Sequence, residues 1–209
     1  EKVLDITREA MDNMIQVCKD HAVNLGVTYQ SRTYPDNLAV KRVLEDGRLG
    51  KLYAADLYAK FYRDQGYYDS APYRGTKDVD GGGPFIQQAA HSVDLYCWFF
   101  GRPSTVVSIY DTFAHDIEGE DHGVALLKHD NGLIGTITAS TVAKPGFPPR
   151  LEIHAEKGSV ILDNSVITTW EVEGEPNPGS GAQKLHSAAA SAAVTETSGH
   201  EAIIEDFVS

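Results

Sequence analysis

No stretch of the 209-residue sequence approaches about twenty consecutive apolar residues, and no basic leader with a short apolar core opens it. Neither a membrane-spanning helix nor a signal peptide is expected. Basic runs are missing too: 18 Lys and Arg stand against 30 Asp and Glu, a formal net charge of -12. A phosphate backbone or an anionic bilayer needs a concentrated positive field, so nucleic-acid and membrane partners are excluded. Cysteine is scarce, with only Cys18 and Cys97, each at an apolar position of a helical pattern. Two such residues make no disulfide framework, and both are expected to be reduced core thiols of a cytoplasmic protein. Two catalytic signatures are also absent. There is no G-x-S-x-G elbow to support a hydrolase, and no strand runs into G-x-G-x-x-G, the turn that holds a dinucleotide pyrophosphate.

What is present suffices for one good core, since 42% of the residues are hydrophobic and 23% charged. Thr7 can cap an amphipathic helix with Ala10, Met14, Val17, Cys18 and Ala22 at a 3.6 period. The apolar run Leu25 to Tyr29 then predicts a buried strand fed by that helix. A second short helix is predicted from Pro35 to Gly47. From Lys51 to Tyr62 the chain alternates, with Tyr53, Ala55, Leu57, Ala59 and Phe61 on one side, which predicts a long strand with one buried face. "RDQGYYDSAPYRGTKDVD" has no period and reads as an irregular surface connection of the kind that often binds ligands. Four β-type runs follow Gly101: "TVVSIYDTF", "HGVALLKH", "GLIGTITASTV" and "RLEIHAEKGSVILD", expected as consecutive antiparallel strands. "GEPNPGSGAQKLHSAAASAAVTETSG" reads as a mobile loop, and "HEAIIEDFVS" begins a helix. The fold class is α+β: a large, mostly antiparallel sheet with helices on one face, preceded by an αβ unit.

The stretch "GGGPFIQQAAHSVDLYCWFFG" carries the chemistry. Pro84 suits a first helical turn, and Ile86, Ala90, Val93, Cys97 and Phe100 predict a continuous buried stripe. Gln87 and His91, four apart, are expected on another face, with Asp94 in reach of the imidazole. The three glycines would let a backbone or a ligand approach closely. Taken alone, the pattern better fits a hydrogen-bonded core histidine behind a tight turn.

Five stretches change that balance: "EK" at Glu1 and Lys2, "RLGKL" at Arg48 to Leu52, "GGGPFIQQAAH" with Asp94 three residues on, "DNGLIGTI", and "IIEDF". In order and spacing they resemble the Gfo/Idh/MocA family of oxidoreductases. The resemblance implies an N-terminal Rossmann domain that binds NAD or NADP, and a C-terminal α+β domain acting on sugars, inositols and related polyols. It divides the chain into residues 1–31, the end of a Rossmann domain whose fingerprint precedes Glu1, and residues 32–209, a substrate-binding and oligomerisation domain. The family's Glu-Lys-Pro lysine falls on Lys2, with Glu1 and Lys2 on the cofactor side, and its helix histidine falls on His91. Val3 replaces the usual proline, and Gln87 stands where many members have an aspartate. An amide orients a hydroxyl but cannot take a proton. The implied roles are therefore His91 as base, Lys2 as electrostatic stabiliser and Gln87 as orienter.

Tyr67, Tyr68, Tyr73 and Arg74 are candidate substrate contacts, because tyrosines pack on sugar faces and arginine pairs with carboxylate or phosphate. "HDIEGEDH", His115 to His122, gathers possible metal ligands, but alternation scatters them, so no metal site is expected and a solvated connection is. Val107, Ile109, Ala125, Leu127, Ile134 and Thr136 are expected on the sheet face away from the helices, where a second subunit would pack to give a homodimer or homotetramer. The alternative reading is a non-catalytic protein of the same fold that binds a sugar or a partner.

Overall fold

The computed structural model describes residues 3–179 and 198–208. Helix α1 (Arg8–Asp20) begins where the Thr7 hydroxyl accepts from the Ala10 amide at 3.3 Å. None of its residues is buried. Beyond it Leu25 to Tyr29 forms no strand, and Leu25 remains 40% exposed. An apolar run becomes a strand only where a neighbouring strand satisfies its backbone, and no described strand pairs with this one. Cys18 is accordingly half-buried on α1 and not in a core, whereas Cys97 packs against the main core; both thiols are free.

A 3₁₀ turn at Gln30–Thr33 leads into α2 (Pro35–Glu45), with Pro35 at its start. Strand β1 (Leu52–Lys60) buries Ala55, Leu57 and Ala59 in alternation, but Tyr53, expected on the same side, is 51% exposed where the register against β5 shifts. The connection that follows is not wholly irregular. Asp64 accepts from the Tyr67 amide at 2.9 Å and caps the short helix α3 (Gln65–Asp69). After α4 (Ala90–Phe100) come β2 (Thr105–Asp111), β3 (His122–Lys128) and β4 (Ile134–Ser140). Next are β5 (Arg150–Ala155), β6 (Gly158–Asp163) and β7 (Val166–Val172), and then α5 (Ser198–Val208). The sequence region expected to be a loop after β7 lies, over residues 180–197, outside the described residues.

The seven strands form one sheet in the order β2-β3-β4-β1-β5-β6-β7. Every pairing is antiparallel except β1 with β4. The strands after Gly101 are therefore not one uninterrupted meander: β1, made much earlier in the chain, sits between β4 and β5. On one face Leu57, Ile137, Leu151, Ile153, Val160 and Leu162 pack against Val40 and Val43 of α2 and Leu95, Tyr96 and Phe99 of α4. Each aliphatic side chain so buried contributes roughly 1.5–3 kcal/mol. Ala125 and Leu127 belong to this face too, at 6% and 5% exposure, and not to the open face expected for them. The β2–β3 register opposes Val107 to Leu126 and Ile109 to Val124, so the exposed set on β3 is shifted by one residue. Among the described residues no helix is long and apolar enough to cross a membrane.

Candidate functional site

The glycines before α4 are explained by Glu120. Gly81 and Gly82 have φ of +81° and +142°, and a Cβ on Gly83 would fall 1.7 Å from the Glu120 carbonyl oxygen. The Gly83 amide donates to Glu120 Oε2 at 3.1 Å and the Phe85 amide to Oε1 at 3.3 Å. These backbone donors serve an internal carboxylate, not a phosphate. Pro84 to Ala89 then form successive turns, and the helix starts at Ala90. The expected stripe is displaced as a result: Leu95, Tyr96 and Phe99 are buried, while Ile86, Val93, Cys97 and Phe100 are half-buried. Tyr96 sets this rotation, its hydroxyl reaching His129 Nε2 at 3.3 Å over Gly135, where a Cβ would lie 2.0 Å from it.

The late start also separates Gln87 from His91. The Gln87 amide donates to the Asp80 carbonyl and borders a cavity beside Val3, Asp5 and Tyr73. His91, on the first turn of α4, lines a second cavity of about 290 Å³ with Gln30, Ser31, Arg63, Gln88 and Asn164, floored by leucines from the sheet. Tyr29 meets the imidazole edge-on at a ring separation of 5.9 Å, and burial raises its phenol above the ordinary tyrosine range. Asp94 does not serve His91. Its carboxylate takes a two-pronged contact from Arg32, at 2.7 Å from Nε and 2.5 Å from Nη2. The Oε1 atoms of Gln30 and Gln88 are buried in the cavity wall with no hydrogen-bond partner. Buried acceptors in that state are costly unless a ligand or water completes them.

The aromatic loop reaches this cavity through Tyr67. Its hydroxyl accepts from Gln88 Nε2 at 3.3 Å, and the guanidinium carbons of Arg74 and Arg63 lie 4.3 and 5.2 Å from its ring centre. Tyr73 is exposed, 5.4 Å from Arg74. Tyr68 is buried and bonds Thr141 Oγ1 at 2.8 Å; burial pushes its phenol up to about 12. It braces the loop, leaving Tyr67 and Tyr73 as the tyrosines available to a ligand. Glu1 and Lys2 lie outside the described residues.

The His115 to His122 connection is not simply solvated. Asp121 is fully buried and accepts from the amides of Phe113, Ala114 and His115 at 2.8, 2.8 and 3.1 Å. Burial alone would raise its carboxyl, but the Ala114 and Phe113 amides and the His115 ring outweigh it, and the carboxyl ends below the ordinary aspartate value. The buried His115 ring bridges Asp121 Oδ2 and the Arg63 carbonyl, both at 3.0 Å, which fixes the backbone of a cavity residue. No cluster of metal-ligating side chains occurs among the described residues. Sequence reasoning missed Gln30, Arg63, Gln88 and His115 as site residues. Gln88 sits inside the glycine-led motif, but nothing local marks Gln30 or Arg63, which join the cavity by tertiary placement.

A profile of the Gfo/Idh/MocA C-terminal domain matches residues 37–161. Inositol 2-dehydrogenase of Rhizobium meliloti is 27% identical over 181 residues, covering 82% of this chain and 51% of that protein. The oxidoreductase YrbE of Bacillus subtilis, itself uncharacterised, is 26% identical over 178 residues, 82% of this chain and 50% of its own length. The chain thus spans about half the length of the curated relatives it matches. The crystal structure of the WlbA dehydrogenase from Bordetella pertussis, solved with NADH and UDP-GlcNAcA, superposes with a TM-score of 0.77 at 33% identity, covering 83% of this chain and 55% of that one. With the profile extending over more than half of its residues and the fold shared at that identity, the chain belongs to the Gfo/Idh/MocA family.

Proposed function

We propose that the protein is an NAD(P)-dependent oxidoreductase acting on a sugar, inositol or related polyol, and that residues 32–209 form its substrate-binding and oligomerisation domain. The observation that carries this reading is the His91 cavity with its two partnerless amide oxygens, Gln30 Oε1 and Gln88 Oε1. Hydroxyl hydrogens complete such acceptors, and a polyol brings several. The inositol dehydrogenase relative and the neighbours solved with NADH support the same class. No strand running into a pyrophosphate turn is present in the sequence, and in the glycine cluster before α4 the Gly83 and Phe85 amides are taken by Glu120. We assign residues 1–31 to a dinucleotide-binding domain, in keeping with the unburied apolar residues of α1.

His91 takes the proton of the reacting hydroxyl, a general-base role that imidazole chemistry suits. Lys2 stabilises the resulting alkoxide, as the family resemblance implies. Gln87 borders the neighbouring cavity beside Val3 and orients without titrating. In the full-length protein, His91→Ala is expected to lower kcat on its polyol by about two orders of magnitude while leaving the NAD(P) dissociation constant unchanged. Undiminished turnover would remove His91 as the base. The replacement of an acid by Gln87 favours a second reading, a sugar-binding protein without redox chemistry; binding of polyols with no nicotinamide reduction across a sugar panel would establish that one.

A further inference from the structure

The hairpin between β6 and β7 turns on two residues, Asn164 and Ser165, closed by the pairing of Asp163 with Val166. Both have positive φ, +50° and +63°, the combination of a type I′ turn. Ala22 is the only other non-glycine residue in that region among the described residues. Asparagine tolerates the conformation, but the second place of such a turn favours glycine, and a serine is held there at a steric cost. The turn needs no side chain at 165; what the serine adds is a hydroxyl. That hydroxyl has no hydrogen-bond partner among the described residues, and Ser165 lines the His91 cavity together with Asn164. The adjoining wall offers a ligand little. Pro148 and Pro149 carry no N–H, and the Pro149 carbonyl accepts from the Asn164 amide at 2.7 Å, a bond that also fixes the turn from behind. Arg150, next along, is held by Glu152 at 2.6 Å. A costly backbone conformation that presents an unused hydroxyl to a cavity points to a ligand.

Resting on the reading of that cavity as the sugar site, we propose that Ser165 is a specificity-determining residue, whose hydroxyl bonds a substrate hydroxyl other than the one that reacts at His91. A serine hydroxyl donates and accepts, so it meets a sugar hydroxyl in either sense. His91 comes from α4 and Ser165 from the β6–β7 turn, and the two contacts together fix which carbon of the sugar faces the imidazole. Glycine at 165 would relieve the turn and lose the contact.

The test is equilibrium binding to the full-length protein with NAD(P) present, using myo-inositol, glucose, glucuronate and UDP-glucuronate, followed by monodeoxy forms of whichever binds most tightly. Ser165→Ala keeps the backbone constraint and removes only the hydroxyl, and it should weaken binding of that sugar roughly fivefold to tenfold. One deoxy form, lacking the partner hydroxyl, is expected to bind the parent and Ser165→Ala alike. Ser165→Gly should lose the same affinity while melting no lower than the parent, because the left-handed conformation costs glycine nothing. Parent-like binding by Ser165→Ala, a lower melting temperature for Ser165→Gly, or deoxy forms that all still sense the substitution would overturn the assignment and leave the polyol reading standing. Failure of every sugar to bind the unaltered protein would overturn that underlying reading as well.

Discussion

Asp121 shows how one side chain can organise a site it never enters. It accepts four hydrogen bonds while fully buried, and through His115 it fixes the carbonyl of Arg63. Because its folded-state pKa is depressed, its contribution to stability is complete above the unfolded aspartate value of about 3.9 and is lost as pH falls through the lower folded value. Asp121→Asn places amide hydrogens against backbone donors and should cost about 2–4 kcal/mol in urea unfolding at pH 7, with a flatter acid limb below about pH 4. Tyr68 works in the opposite direction. Its raised pKa stabilises the fold fully below about 10, and that contribution fades as pH rises towards about 12. At this scale the sequence announced residue types well but partners poorly. His91, Tyr67 and Arg74 were legible as candidates from the helix motif and the aromatic loop. That Asp94 would go to Arg32, 62 residues away, and not to the imidazole one turn back was not, because both offers are chemically good and only tertiary placement decides.

Elements obeyed local rules wherever the partner was also local. Thr7 capped α1, Pro35 opened α2, and the alternation of β1 held from Ala55 onward. The start of α4 followed a distant demand: Glu120 requires the turn that Gly81 to Gly83 provide, and the helix waits until Ala90. Gly83→Ala is therefore expected to destabilise by about 3 kcal/mol or more, since a methyl group there meets main chain that cannot step aside. Thermal unfolding of the full-length variant checks this, and a melting temperature within a degree of the parent would contradict it. Gly132→Ala is the control for the glycine effect alone, because a Cβ there meets nothing and only its φ of +88° is strained. Leu25 to Tyr29 shows the converse failure. Its composition is that of a strand, but a strand is a property of two chains, and no described strand pairs with it.

At the scale of the molecule, the sheet is covered by helices on one face only. Val107 and Ile109, 60% and 83% exposed, continue through Leu126 and Ile134 into an apolar surface on the other. We expect a second copy of the chain to cover it with two-fold symmetry, and Ile109→Glu to shift the full-length protein towards monomer in light scattering by raising the dissociation constant more than tenfold. A monomer mass for the unaltered protein at tens of micromolar would refute that assembly. The α+β class and the one-sided core were legible in the hydrophobic pattern; the insertion of β1 between β4 and β5 was not, since periodicity records which face is wet and never which strand is next door. That insertion also sets a schedule for the ribosome. Asp56 of β1 meets Thr136 of β4 across 80 intervening steps of chain. At roughly 5–20 residues per second, the central strand is made and then held in waiting for about 4–16 seconds, with both its edges unpaired, before either flank exists to receive it.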